Sequence, residues 1–394
     1  MSWEIKKLSE CCASIADGDH QAPPKADSGI PFVTISNINS TNQFDFTNTM
    51  FVPQAYYDGL DSKRKAQKGD VLYSVVGSFG IPVYMKDTIP FVFQRHIAIL
   101  RPNDSIIPRF LYYTMLSRDF YMMADAAALG AAQRTVSLTA LRNIKIAIPP
   151  MDVQKKIVDI LSAYDDLIEN NQKQLKLLEE AAQRLYTEWF VDLRFPGHET
   201  TPITDGIPEG WQVKSMNDIA EYINGYAFKP TDWGTVGKPI IKIKEMGSGI
   251  TMDTPRNTGE DIPEKYNVTA GDILFSWSAT LSAMIWDEED GLLNQHLFKV
   301  IPVEGISREF VLQSILRTLD EFSNLTTGST MKHIQRGKLK EVKVNVPTAK
   351  LMEQYRSIGE PIREQILNVK RQMILLREAR DRLLPKLMNG EIEV

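Results

Sequence analysis

Apolar and polar positions follow two different rhythms along this chain. Short runs rich in β-branched and aromatic residues, such as Val71 to Val76, Phe91 to Leu100 and Ile144 to Ile148, alternate with Gly, Pro and Asp and predict strands. Short helices are predicted near Arg109 to Leu116 and near Arg308 to Leu319. From Asp152 to Phe190 there is neither Gly nor Pro. Apolar residues there fall at Ile157, Leu161, Tyr164, Ile168, Leu175, Leu178, Ala182, Leu185 and Trp189, with a polar break at Asn171. A second stripe runs through Ile362, Ile366, Val369, Met373, Leu376, Leu383 and Leu387, with Arg380 out of pattern. Steps that alternate between four and three residues make a coiled-coil seam, and one buried Asn is a device that fixes its register. Such a stripe also fits an ordinary core helix. Its recurrence at the same place in both halves favours two helices that pack on each other, antiparallel if the halves are related by a pseudo-twofold.

The halves are an internal duplication, repeated after roughly 200 residues. Trp3-Glu-Ile-Lys-Lys-Leu8 returns as Trp211-Gln-Val-Lys-Ser-Met216, and Lys68-Gly-Asp-Val-Leu-Tyr-Ser74 as Ala270-Gly-Asp-Ile-Leu-Phe-Ser276. Gln94-Arg-His-Ile97 faces Asn294-Gln-His-Leu297, and Arg109-Phe-Leu-Tyr-Tyr113 faces Glu309-Phe-Val-Leu-Gln313. Last, Leu141-Arg-Asn-Ile-Lys-Ile-Ala-Ile-Pro149 faces Leu339-Lys-Glu-Val-Lys-Val-Asn-Val-Pro347. The fold class expected is therefore α+β: two similar domains separated by two long helices that form an antiparallel coiled coil. The segments expected are a first domain at 1–150, a first helix at 151–195, a linker at 196–210, a second domain at 211–347 and a second helix at 348–394.

Composition narrows the class. At 394 residues the chain exceeds one core, and no apolar run approaches the roughly 20 residues of a membrane span. The segment MSWEIKKLSE lacks an apolar signal region, and the two cysteines, Cys11 and Cys12, are adjacent. A cytoplasmic location is expected. The formal net charge of -5 runs against a basic nucleic-acid binder. That charge is segregated, however. Asp287-Glu288-Glu289-Asp290 reads as an acidic loop before Gly291, whereas Met331 to Lys343 carries Lys332, Arg336, Lys338, Lys340 and Lys343 against Glu341 alone.

Catalytic patterns are missing. No phosphate-cradling GxxxxGK[ST] or GxGxxG occurs. Ile148-Pro-Pro-Met151 lacks the Asn or Asp and the aromatic that clamp a flipped base. The five histidines lack metal-ligand spacing. What remains are side chains able to meet DNA, where bidentate groups read base edges while cations and hydroxyls hold phosphates. The loop Gly328-Ser-Thr-Met-Lys-His-Ile334 offers Ser329, Thr330, Lys332 and His333; its mate at 130–136 offers Gln133 and Arg134. Arg95-His96 and Gln295-His296 form a second candidate pair, although a histidine in a strand pattern also fits a satisfied buried group. Strand-end loops add Ser74, Ser78, Ser276 and Trp277, the last equally readable as core. Lys25, Asn37 and Asn39 in the first half and Lys242 and Lys244 in the second complete the set.

Together these features resemble the specificity subunits of type I restriction–modification enzymes over essentially the whole chain. The carriers are Trp211-Gln-Val-Lys with Ile219-Ala220, Lys68-Gly-Asp-Val-Leu-Tyr-Ser74, Thr327-Gly-Ser-Thr-Met-Lys-His-Ile334, Ile148-Pro-Pro-Met-Asp-Val-Gln-Lys-Lys-Ile-Val158 and Trp189-Phe-Val-Asp-Leu-Arg-Phe-Pro196. The resemblance implies a non-catalytic subunit with two target-recognition domains, each reading half of a bipartite site on double-stranded DNA, and helices that set the gap. It implies two methyltransferase and two motor–endonuclease subunits as partners, with S-adenosylmethionine, ATP and magnesium held by them rather than by this chain. The first domain lacks the Lys-His of the 328–334 loop, which is a departure from the pattern. A duplicated scaffold for protein interactions, or an enzyme with a dispersed site, are the competing expectations.

Overall fold

A computed structural model describes residues 3–39, 41–77, 79–130, 134–324 and 336–394, and the structural statements below concern these residues. Contacts divide the chain into two compact units, Met1–Ile168 with Leu375–Val394, and Glu169–Ile374. Each unit takes a part of both long helices.

In the first unit the strands are β1 (Glu4–Lys7), β2 (Cys12–Asp17), β3 (Ile30–Val33), β4 (Met50–Val52), β5 (Val71–Ser74), β6 (Pro82–Tyr84), β7 (Val92–Phe93), β8 (Ile97–Pro102) and β9 (Lys145–Ile148). The helices are α1 (Gln54–Asp58), α2 (Pro108–Leu116), α3 (Arg118–Ala126), α4 (Leu138–Asn143) and the start of α5 (Met151–Tyr186). Strands β2-β8-β5-β6 form an antiparallel sheet, β4-β3-β7 a second sheet, and β1 pairs with β9. The apolar runs of β5 and β8 are buried on both faces, which explains their unbroken hydrophobicity. Val71, Tyr73, Ala98 and Leu100 point into a core shared with α2 and α3. Leu72, Ile97 and Ile99 point the other way, onto Phe91 and Phe93. The two-residue period of a strand thus serves two cores at once.

The second unit repeats this plan. Its strands are β10 (Ile203–Thr204), β11 (Ile207–Pro208), β12 (Gln212–Ser215), β13 (Ala220–Asn224), β14 (Lys238–Ile241), β15 (Arg256–Asn257), β16 (Asn267–Val268), β17 (Ile273–Ser276), β18 (Ser282–Ile285), β19 (Gly291–Leu293), β20 (Leu297–Pro302) and β21 (Lys343–Val346). Its helices are α6 (Met216–Ile219), α7 (Ile243–Ser248), α8 (Arg308–Arg317), α9 (Leu319–Asn324) and most of α10 (Ala349–Met388). The sheet β13-β20-β17-β18 matches β2-β8-β5-β6 strand for strand, β15-β14-β19 matches β4-β3-β7, and β12–β21 matches β1–β9. Ile273 and Phe275 again face one core and Leu274 the other. The stretch read as a linker holds the small β10–β11 hairpin.

The long helices run antiparallel within each unit. In the first, Ile157 and Leu161 share a core with Leu384 and Leu387. In the second, Asn171 Nδ2 donates to Gln372 Oε1 at 3.3 Å, while Trp189 lies 6.0 Å from Tyr355 between ring centres. Both polar breaks in the seams are accounted for, since Arg380 Nη1 donates to Asp165 Oδ1 at 2.9 Å. One expectation needs correction. The α-helical part of the first long helix ends at Tyr186 and continues as a π-helical turn, Thr187–Val191. The wider turn lets the adjacent Trp189 and Phe190 both face inward, where Phe190 stands 4.9 Å from Phe310 and 4.8 Å from Tyr355. Phe195 follows onto Trp211 at 4.9 Å. The Trp189–Pro196 motif is therefore an aromatic anchor in the second core.

Candidate nucleic-acid interface

Three segments far apart in sequence meet at one end of the first unit's sheet. The loop after β5 is bound to the turn before β8 by Val75 N–H donating to His96 O at 2.8 Å. It is bound to the segment before α4 by Val136 N–H to Val75 O at 2.9 Å and Gly77 N–H to Arg134 O at 3.1 Å. Asp17, Arg95, His96, Thr135 and Ser137 line the cleft that results, about 290 Å³ in volume. The residue after β2 tolerates no side chain. A Cβ on Gly18 would stand 2.1 Å from Phe93 O, and one on Gly225, its equivalent, 2.1 Å from Asn294 O.

Electrostatics divide the roles inside the cleft. Arg95 is exposed, so its planar donor fork is free to meet a phosphate or a guanine edge. Burial, and then the neighbouring Arg95, hold the His96 imidazole below its usual range. Neutral at pH 7, this ring offers one donor and one acceptor, which suits a base edge better than a phosphate. Asp17 accepts from His20 at 2.7 Å and lies 3.8 Å from Arg64. Arg134 is committed to the carbonyl and carboxylate of Asp125, at 2.5 and 3.2 Å.

In the second unit, Gln295 N–H donates to Tyr226 O at 2.9 Å just after β13. Trp277 Nε1 donates to Asn224 Oδ1 at 3.1 Å, and its ring lies 5.9 Å from that of His296. His296 Nδ1 is buried without a hydrogen-bond partner. Trp277 is half-buried and also packs on Phe298, so both of its readings hold in part.

Several sequence candidates take other places. Ser74 and Ser276 are fully buried. The Ser74 hydroxyl accepts from Ile81 N–H at 2.9 Å, and that of Ser276 donates to Thr280 O at 2.7 Å. Each closes its loop and supports the site from beneath instead of facing a ligand. Asn37 caps a turn by accepting from Thr34 N–H at 2.9 Å, and Asn39 accepts from Thr41 and Gln43 backbone N–H groups. Lys25 is exposed, and neither it nor Asn37 lines the cleft. Lys242 lies over the Trp233 ring at 5.1 Å and Lys244 is exposed on α7. Ser78, Gln133, Ser329, Thr330, Lys332 and His333 lie outside the described residues.

Sequence reasoning missed Asp17, His20 and Asn224. The repeated signal was a polar residue followed by Gly at the end of the first sheet strand, Asp17-Gly18 and Asn224-Gly225. The acidic run does form the loop between β18 and β19, as expected, but its charges are largely paired. Glu289 pairs with Arg256 at 2.6 Å and Asp287 with Lys370 at 3.2 Å, while Glu288 accepts from Ile250 N–H at 2.8 Å. Burial pushes the Glu288 carboxyl above its usual range. Gly291 opens strand β19. Much of the acidity that set the net charge is thus taken up inside the second unit. Among the described residues no group of three or more metal-binding side chains occurs, and no helix is long and apolar enough to cross a membrane.

Comparison with known proteins agrees with this duplicated plan. The family model described as type I restriction modification DNA specificity domain matches residues 2–180 and 208–357. The chain is 24% identical over 352 residues to the type I restriction enzyme MjaIX specificity subunit of Methanocaldococcus jannaschii, covering 84% of this chain and 80% of that protein. It is 23% identical over 440 residues to the HindI specificity subunit of Haemophilus influenzae, covering 92% and 95%. The crystal structure of a type I restriction–modification S subunit from M. genitalium shares the fold, with a TM-score of 0.59 at 15% identity over 98% of this chain and 96% of that one. With both repeats matched in full sequence order, the chain belongs to the family of type I restriction modification DNA specificity domains.

Proposed function

We propose that this chain is the DNA sequence-specificity subunit of a type I restriction–modification system, that it catalyses nothing itself, and that it works in the cytoplasm. Each unit reads one half of a bipartite target on double-stranded DNA, and α5 with α10 sets the gap. The observation that carries this reading is the recurrence of one loop cluster with altered side chains. The end of the first sheet strand, the loop after the central strand and the turn before its neighbour meet in both units. Arg95 in one cluster is Gln295 in the other, and a guanidinium and a carboxamide suit guanine and adenine edges respectively. A scaffold built to bind one partner twice would keep its contact residues alike.

Lys25, Asn37, Lys242 and Lys244 add phosphate or groove contacts. Gln133, Arg134, Ser329, Thr330, Lys332 and His333 supply further contacts from the stretches 130–136 and 328–334. The exposed apolar side chains Leu167, Leu177 and Leu375 on the long helices suit docking of two methyltransferase subunits. Two motor–endonuclease subunits complete the assembly. S-adenosylmethionine belongs to the methyltransferases, and ATP with magnesium to the motors; this chain holds none of them.

Co-expression with a methyltransferase subunit, followed by mapping of methylated adenines, tests the reading. A bipartite motif with a fixed gap that depends on this chain is expected. In the same assembly Lys332→Ala is expected to weaken DNA binding with little effect on folding. No complex, and no affinity for DNA at low salt, would overturn the proposal in favour of a protein-interaction scaffold.

A further inference from the structure

Each recognition domain is fastened to a long helix by ion pairs, and the sense of those pairs is opposite in the two units. In the first unit the domain supplies the cations. Arg109 on α2 donates from Nη2 to Asp166 Oδ1 at 2.7 Å, and Lys86, two residues after β6, lies 3.7 Å from the same carboxylate. The adjacent Asp165 accepts from Tyr113 Oη at 2.7 Å. In the second unit the domain supplies the anions. Glu309 on α8 accepts from Arg363 Nε at 2.7 Å and Nη2 at 3.0 Å, and Asp287, two residues after β18, lies 3.2 Å from Lys370.

The positions on the domain side correspond. Arg109 and Glu309 open the same repeat motif, and Lys86 and Asp287 follow equivalent strands. Asp165 and Arg363 lie equally far from the starts of α5 and α10. Lys370 is one heptad beyond Arg363, hence on the same helix face. Duplication made two copies of one docking surface; the domain's signs are now reversed at both positions, and on the helices an acid, Asp165, has become Arg363 and the neutral Gln172 has become Lys370, while Asp166 keeps an acid, Glu364.

We propose that this reversal is an electrostatic key that determines which recognition domain each long helix accepts. A domain carrying cations at these positions fits Asp165 and Asp166 of α5 and is repelled by Arg363 and Lys370 of α10. A domain carrying anions there behaves in the opposite way. Discrimination comes as much from the like charges that a wrong pairing brings together as from the correct pairs. Burial makes the key asymmetric. The side chains of Glu309, Arg363 and Asp287 are 1%, 14% and 10% exposed, whereas Asp166 is 58% exposed. An exposed pair contributes little, but a charge left unmatched in a buried site is strongly unfavourable. The second position is therefore the selective one. This inference is independent of what the domains bind.

Two sets of full-length variants test it, read by thermal melting and limited proteolysis. Glu309→Arg is expected to lower the Tm of the second unit by roughly 10 °C. Adding Arg363→Glu to it is expected to recover at least half of that loss. In the second set, residues 211–347 are replaced by a copy of residues 1–150. This chimera is expected to be protease-sensitive with native α10, and protected once Arg363→Asp and Lys370→Asp are added. Equal stability of the single and double variants, or of the two chimeras, would overturn the key. Should neither chimera fold, the comparison of Glu309→Arg with its double variant decides.

Discussion

Gln154, at the head of the first long helix, is a buried carboxamide whose bonds are all spent on backbone. Its Oε1 accepts from Ile107 N–H at 2.9 Å, and its Nε2 donates to Pro149 O at 3.0 Å and Ser105 O at 3.4 Å. Ile107 caps α2, so this one side chain ties the helix to the domain. Gln154→Leu keeps most of the volume but orphans a buried donor, and is expected to destabilise the first unit by about 1–3 kcal/mol. Urea denaturation of the whole chain measures this, and an unchanged midpoint would mean that the tie is redundant. His96 gives a pH-dependent case. Its folded pKa lies below that of the unfolded chain, so its contribution is full above about pH 6.5 and is lost as pH falls through the folded pKa. His96→Gln is therefore expected to flatten the fall in Tm between about pH 7.5 and pH 5. An identical fall in both proteins would locate that acid sensitivity elsewhere. At this scale the sequence exposed Arg95 and His96 because the duplication set them against Gln295 and His296. It misled at Ser74 and Ser276, because a hydroxyl at the end of a strand looks the same whether it faces solvent or closes a loop.

At the scale of elements, the seams of α5 and α10 were legible because their period is set by helix geometry alone. Even their flaws were informative, as Asn171 and Arg380 turned out to be the polar contacts of the seam. The π turn at Thr187–Val191 left no such trace. It exists because Trp189 and Phe190 must both enter the aromatic core of the second unit, a demand made by residues distant in sequence such as Phe310 and Tyr355. The strands were legible as apolar runs, but their assignment to two cores needed the sheet. Since the register of the seam is marked by Asn171, four extra residues beside it shift the helix by about 6 Å and 40°. Such an insertion is expected to change the spacing of the methylated half-sites or to abolish assembly. An intact assembly with the original motif and gap would refute the spacer role.

For the whole molecule, the net charge of -5 looks wrong for a partner of DNA until the acid residues are located. Asp287 and Glu289 neutralise cations of their own unit and Glu288 is half-withdrawn from solvent, so they project little field. Binding then depends on local cations, and affinity of the assembled methyltransferase is expected to fall steeply as salt rises. Arg95 allows the two kinds of contact to be separated. If it reads a base, Arg95→Ala costs about 1–3 kcal/mol on the cognate site, much less on unrelated DNA, and leaves the salt dependence unchanged. If it holds a phosphate, the loss is the same on every sequence and the slope of log K against log salt becomes shallower by about one. The neutral His96 beside it in the same cleft offers one donor and one acceptor, which favours the first outcome. Titrations of cognate and scrambled duplexes at several salt concentrations distinguish them. A uniform loss with a shallower slope would move sequence reading in this unit away from Arg95.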